Sequence, residues 1–176
     1  VIPYYDKNLP HKAEYLKRCV NSFIGHFDNL IVVHGNDISQ YEAINKGIAM
    51  SDTDYVIVSN DDCEYGSGNL HDLCIPDTLT VPHINDADRG LAMHIFALPK
   101  KIWEELGGFD GSYKHGYFDD NDAIFKLLDK GYKTKVINTV NIEHPHFGTT
   151  LEAIEGSRSF FLENQDKFLK KWGRLP

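Results

Sequence analysis

The sequence has no apolar run long enough to cross a bilayer: its longest, Leu30 to Val33 and Tyr55 to Val58, fall far short of the roughly 20 residues required. It lacks a basic excess as well. With 26 acidic against 18 basic side chains the net charge is −8, which would repel a polyphosphate backbone, so no nucleic-acid partner is expected. Cysteine is scarce. Cys19, Cys63 and Cys74 form an odd set without C-x-x-C spacing, which excludes a disulfide framework, fits reduced thiols and makes the cytoplasm the expected compartment. No basic segment followed by a long apolar one opens the chain at Val1, so no secretory leader is expected. Repeats, linkers and low-complexity segments are missing too. What is present is globular composition, 41% apolar and 25% charged, over 176 residues: one domain with a real core, and too little chain for two.

The first sixty residues read β-α-β-α-β. Val1 to Tyr4 is a short β-type run, and Tyr15, Leu16, Cys19, Val20, Phe23 and Ile24 then repeat at helical spacing. Leu30 to Val33 is the second strand. Ser39 and Glu42 have the spacing of a capping box, which predicts a helix from about Ser39 to Ala49, before the strand Tyr55 to Val58. Near-continuous apolar strands alternating with helices predict an α/β domain whose mostly parallel, mixed sheet is flanked by helices, as in Rossmann-like folds. Ligands then bind beyond the carboxyl ends of the strands, where Tyr5 to Asn8, His34 to Asp37 and Asn60 to Asp62 fall. In the second half, Thr78 to Val81 and Ala92 to Leu98 read as strands and Pro99 to Leu106 as a short helix. A helix opened by Asp119-Asp120-Asn121-Asp122 stops at Gly131, Lys133 to Ile142 gives one or two strands, and a last helix runs from Leu151 to Trp172.

Three clusters could carry chemistry. Asn60-Asp61-Asp62 follows a buried strand, where neighbouring carboxylates hold a hard divalent cation or, equally, an Asx-rich turn simply closes the strand. Asp119, Asp120 and Asp122 put more carboxylates at a helix start than capping needs, and one raised in pKa by its neighbours could act as a general base. In His144-Pro145-His146 either imidazole could ligate a metal, or both could belong to a surface turn. Gly107-Gly108 reads as a helix C-cap that could also admit a ligand to the backbone.

Taken in order, these pieces resemble the family 2 glycosyltransferases of GT-A fold. Val1-Ile2-Pro3-Tyr4-Tyr5 is similar to the family's opening strand, Ala43-Ile44-Asn45-Lys46-Gly47 to its A-x-N-x-G pattern, and Asn60-Asp61-Asp62 to its DxD motif as an N-x-D variant. Gly107-Gly108-Phe109-Asp110, Asp119-Asp120-Asn121-Asp122, His144 and Lys171-Trp172-Gly173 resemble the later segments. The resemblance implies a single domain, with residues 1–65 as nucleotide-binding half, 66–150 as acceptor and catalytic half, and 151–176 as a C-terminal helix. It implies transfer from a nucleotide diphosphate sugar, a UDP-sugar foremost, to an acceptor hydroxyl, with inversion and with Mn²⁺ or Mg²⁺. Asp62 and His144 would ligate the metal. Asp120, or Asp119 in its place, would be the catalytic base. Pro3, Tyr5, Asn45, Lys46, Asn60, Asp61 and Gly108 would contact the nucleotide sugar, with His34 or Asp37 reading the base where the family usually has an acidic residue. A catalytically silent GT-A-like domain that binds a nucleotide sugar or glycan is the alternative. A nucleotidyltransferase would want a glycine-rich phosphate loop after the first strand, and Tyr5-Asp6-Lys7-Asn8-Leu9 has no glycine.

Overall fold

The computed structural model describes residues 1–5, 11–84, 91, 93–114, 116–144 and 157–176. Chain order is β1 (Ile2–Tyr4), α1 (Lys12–Phe23), β2 (Val32–His34), α2 (Gln40–Met50), β3 (Tyr55–Ser59), β4 (Glu64–Ser67), a short 3₁₀ turn (Leu70–Leu73), β5 (Thr78–Ile84), β6 (Ile95–Pro99), α3 (Lys100–Glu105), α4 (Asp119–Asp129), β7 (Lys133–Glu143) and α5 (Ser157–Trp172). The expected β-α-β-α-β opening is present, and Ser39 and Glu42 cap α2 reciprocally. β4, which the sequence reading did not anticipate, is an edge strand on β7. The strand expected from Ala92 begins at Ile95, with Met93 and His94 in a turn and Ala92 outside the described residues. Positions 151–156 of the expected last helix also lie outside them.

β1 and β2 pair in parallel, and a five-stranded sheet runs in the order β3-β6-β5-β7-β4. Backbone bonds join the two. Val1 N donates to Ile57 O at 2.7 Å and Ser59 N donates to Val1 O at 2.9 Å, the alternation of a parallel ladder, which sets β1 beside β3. In the larger sheet β5 and β7 run parallel, while β3–β6, β5–β6 and β4–β7 are antiparallel, so the sheet is mixed. Register between β5 and β7 jumps after Pro82, which has no N–H for the ladder: Pro82 lies opposite Ile137, and His83 opposite Asn141.

The sheet is buried on both faces because its strands are apolar on both. Phe96 and Leu98 of β6 pack with Val56, Val58, Tyr41, Ile44 and Leu127 on one side. The alternate residues Ile95 and Ala97 join Cys19, Phe23, Leu73 and Ile142 on the other. No helix among the described residues is long and apolar enough to cross a membrane.

Two polar anchors fix the helices against one another. Asn45, half-buried on α2, accepts from Trp103 Nε1 at 2.8 Å and Phe109 N at 3.0 Å and donates to Phe109 O at 2.8 Å. This pins the Gly107-Gly108 turn, whose residues have φ of 68° and 79°, against α2. Asp122, 1% exposed, accepts from Trp172 Nε1 at 2.7 Å, Lys171 Nζ at 2.9 Å and Tyr113 Oη at 3.1 Å, so the end of α5 is locked to the start of α4. Asn45→Ala strands the Trp103 and Phe109 groups and is expected to cost about 2–3 kcal/mol, a fall of roughly 4–12 °C in thermal midpoint. A midpoint within a degree of the native chain's would show that the turn holds itself.

Candidate active site

The ends of β1 and β3, the residue after β7, the loop before α2 and the start of α4 converge on one cavity of about 910 Å³. Pro3, Tyr5, Asp37, Asn60, Asp61, Asp62, Asp119, Asp120 and His144 all line it, which gathers most of the sequence-derived candidates at one place. His34, Asn45, Lys46 and Gly108 do not line it. His34 is exposed, with its ring edge-on to Tyr4 at 5.3 Å. Lys46 faces solvent on α2. Asn45 and Gly108 are spent on the turn described above, where a Cβ on Gly108 would sit 3.2 Å from Asn45 Oδ1. From β2 onward, therefore, it is the Asn36–Ser39 loop that reaches the cavity. Residues 6–8 of the first expected loop, with Pro145 and His146, lie outside the described residues.

Asp61 and Lys12 form an ion pair, Nζ to Oδ1 2.5 Å, with both side chains almost wholly buried. Burial raises the Asp61 pKa and the ammonium of Lys12 opposes it, leaving the net shift upward. The other oxygen, Asp61 Oδ2, is buried and accepts no hydrogen bond from the described residues. A buried lone acceptor of this kind is costly unless a ligand donates to it.

Asp62 turns the other way. Its Oδ1 lies 3.1 Å from His144 Nε2, close but without the alignment of a hydrogen bond, and both side chains are buried. Burial works against its ionisation, yet the contact with His144 and the nearby Lys12 ammonium outweigh it and hold the carboxyl below its ordinary pKa. The Asp62 carboxylate, the Cys63 thiol and the His144 imidazole bring donor atoms within 4.8 Å of one another. Carboxylate and imidazole suit Mn²⁺, Mg²⁺ preferring oxygen alone, and the buried thiol, which donates to His94 O at 3.6 Å, is a softer neighbour.

Asn60 is held from two sides. Its Oδ1 accepts from Gln40 Nε2 at 2.9 Å, and its Nδ2 lies 3.4 Å from Nδ1 of His94, whose ring stacks on His144 at 4.4 Å. Tyr5 packs where Gly35 has no Cβ, since a Cβ there would fall inside its ring, and its buried hydroxyl has no hydrogen-bond partner among the described residues.

Across the cavity, Asp120 Oδ1 accepts from Tyr41 Oη at 2.8 Å, and Asp119 Oδ1 accepts from Asp120 N at 3.1 Å. Burial first, then the charge of Asp120, pushes the Asp119 carboxyl up to about 8. Asp120 is raised too, by burial, with the Tyr41 hydrogen bond pulling back. Both carboxyls are thus raised above their ordinary values. The helix cap here is Phe118, at φ 66°, with no side-chain hydrogen bond, so Asp119 and Asp120 lie inside the first turn and are not the cap.

Lys12, Gln40, Tyr41 and His94 are site residues that the sequence reading passed over. Among the described residues, six carboxylates (Asp37, Glu42, Asp61, Asp62, Asp119 and Asp120) line the cavity against two ammonium groups, Lys12 and Lys114. Such a cavity repels a bare anion and takes one only in company with a cation.

No protein-family model and no curated protein matches the chain. Solved structures do. The catalytic domain of Drosophila β1,4-galactosyltransferase 7, in complex with xylobiose, matches with a TM-score of 0.60 at 14% identity over 82% of this chain and 69% of that one. GalNAc-T7 with UDP, GalNAc and Mn²⁺ matches with a TM-score of 0.64 at 13% identity, over 98% of this chain and 50% of that one. The mannosyltransferase PcManGT from Pyrobaculum calidifontis, in complex with GDP-Man and Mn²⁺, gives 0.64 at 14% identity, over 99% and 64%. The chain thus spans half of one of these proteins and about two thirds of the other two. The architecture they share with it, a mixed sheet flanked by helices, is the GT-A fold.

Proposed function

We propose that the chain is a cation-dependent glycosyltransferase of family 2 type, which moves a sugar from a nucleoside diphosphate to an acceptor hydroxyl. The observation that supports it best is the contrast, across one cavity, between Asp62 and the neighbouring Asp119 and Asp120, Asp61 being raised but paired with Lys12. Asp62 is held ionised beside His144, whereas Asp119 and Asp120 are raised toward neutrality. Pushing titratable groups apart in this way separates a charge-stabilising role from an acid–base role.

Asp62 and His144 would hold Mn²⁺ or Mg²⁺. The fit rests on Asp62 Oδ1, a buried carboxylate oxygen with no aligned donor among the described residues, and on the acidic lining. When bound, the cation supplies Lewis-acid stabilisation to the departing diphosphate. Asn60, fixed by Gln40 and His94, would face the ribose. Asp61 Oδ2 and the Tyr5 hydroxyl offer partners for sugar hydroxyls, Pro3 forms part of the wall beneath them, and Asp37 approaches the base from its loop. On the far side Asp120, steadied by Tyr41, takes the proton of the attacking hydroxyl, and Asp119 keeps the pair's proton affinity high enough for that transfer. Attack from the face opposite the leaving group inverts the anomeric carbon and needs no covalent intermediate. The GDP-Man and UDP complexes of the structural neighbours, each with Mn²⁺, support a nucleoside diphosphate sugar as donor.

Saturating UDP or GDP with Mn²⁺ is expected to add about 2.7 kcal/mol at 100 times Kd, a rise of roughly 5–11 °C in midpoint that EDTA and Asp62→Asn both abolish. No shift with any nucleoside diphosphate, from folded protein, would remove the transferase reading.

The base must be ionised to act and burial raises Asp120, so transfer or donor hydrolysis is expected to fall on acidification at a pH above the ordinary carboxylate limb near about 4. Asp120→Asn should lower kcat by about 10²–10⁴-fold. For stability the sign is also set: the folded-state pKa of Asp119 exceeds the unfolded value, so its contribution is best below about pH 4 and is lost as pH rises through about 8. Asp119→Asn is therefore expected to raise the midpoint in alkaline buffer and leave it nearly unchanged in acid. A pH-independent rate and midpoint would dismiss the pair as the base.

A further inference from the structure

Immediately before Asp119 the backbone does something costly. Gly116, Tyr117 and Phe118 follow one another at φ of 81°, 65° and 66°, and two of the three are aromatic residues in a region that favours glycine. The segment is held there from α5. Asn164, 3% exposed, donates to Lys114 O at 2.9 Å, Gly116 O at 2.8 Å and Tyr117 O at 3.2 Å and accepts from Lys114 N at 3.2 Å. Phe118 is wedged against Phe161 and Phe168 at 5.3 and 5.5 Å. The product of this strain is the position of Tyr117. Its ring meets Phe161 edge to face at 5.1 Å, and both rings line the cavity on the side of Asp119 and Asp120.

We propose that Tyr117 and Phe161 form the stacking wall of an acceptor subsite for one uncharged sugar ring, with Asn164 as the positioning residue that holds Tyr117 in place; this rests on the transferase reading. A pyranose carries C–H groups on its faces and hydroxyls at its rim, so it lays an apolar face on an aromatic ring while its edge meets polar groups. Here the edge meets Asp119, Asp120 and Asn121, which lets one hydroxyl reach the carboxylate pair. A phosphorylated or carboxylated acceptor meets that pair as a like charge, and Lys114, the one ammonium on this side among the described residues, is already paired with Glu163 at 3.3 Å. A hydrocarbon acceptor would bury the same carboxylates without hydrogen bonds.

The test is saturation-transfer NMR on the full chain with xylobiose, cellobiose and maltose, against glucose 1-phosphate and glucosamine. The expected result is binding of at least one neutral disaccharide in preference to both charged sugars, weakened roughly tenfold or more by Phe161→Ala and Tyr117→Gly and kept by Tyr117→Phe. Tyr117→Gly is the telling variant, because glycine accepts the positive φ and should leave the thermal midpoint equal or higher while binding is lost. Asn164→Asp keeps the bond from Lys114 N but loses three donations, and is expected to weaken the disaccharide while leaving the Mn²⁺–nucleotide shift in place. Native protein that binds none of the three, or that prefers a charged sugar, overturns the proposal. So does a Tyr117→Gly chain that is less stable yet binds as the native one does. Disaccharide binding without any nucleotide shift removes the transferase reading and leaves a saccharide site. A nucleotide shift without disaccharide binding removes this subsite alone.

Discussion

The buried pair of Lys12 and Asp61 is the interaction on which the rim depends. It joins the first turn of α1 to the end of β3, 49 residues apart, at 2.5 Å and almost out of reach of water. Loss of either partner would leave the other charge buried and unpaired, at a cost of roughly 3–5 kcal/mol. Its geometric effect matters as much. With Asp61 drawn toward α1, Asp62 on the next residue faces His144 across the end of the sheet, so two neighbouring carboxylates serve two directions. The pairing also explains how so acidic a cavity is tolerated before any ligand arrives: one charge is neutralised internally, one lies against an imidazole, and two more sit in a pair that takes up a proton.

A second frame holds the far wall. Asp122 and Asp110 share Lys171, and Asp122 also takes the indole N–H of Trp172. Those contacts place α5 over the start of α4, from where Asn164 reaches the strained backbone before it. The late Lys171-Trp172-Gly173 segment therefore acts by carpentry. It touches neither Asp61 nor Asp62, yet it sets the position of the helix that carries Asp119 and Asp120.

The α/β class, the opening β-α-β-α-β order and the convergence of strand ends were legible because they are local: apolar runs, a capping box and polar residues just past each strand. Asp62, His144 and Asp120 took their expected roles from the family resemblance, since the local pattern fits a turn, a surface loop or a helix start as well. What the sequence did not show has one cause. Asn45 and Gly108 sit in motifs that look like ligand contacts but hold a turn to α2, and nothing along the chain tells a hydrogen bond to Phe109 from one to a nucleotide. Lys12, Tyr41 and Asn164 had no signal at all, since their partners lie 49, 79 and about 50 residues away. A lysine at a helix start, a tyrosine on an apolar helix face and an asparagine inside a helix look ordinary until the chain is folded. β4 escaped because Glu64 to Ser67 is short, polar and at a sheet edge, where burial imposes no apolar alternation.

The two strained or charged features of the cavity have one physical origin. A rim crowded with carboxylates is unstable by its nature, and a segment with successive left-handed residues is unstable too. Neither would persist unless something rigid over-determined it. The sheet does so for Asp61 and Asp62 through backbone ladders on both sides of β3. The aromatic packing of α5 on Phe118 and Phe125 does so for Asp119 and Asp120. Stability made in the two cores is thus spent at the edge where they meet: glycine at Tyr117 and neutral residues at Asp119 and Asp120 would each relieve a strain or a buried charge that the surrounding packing holds in place.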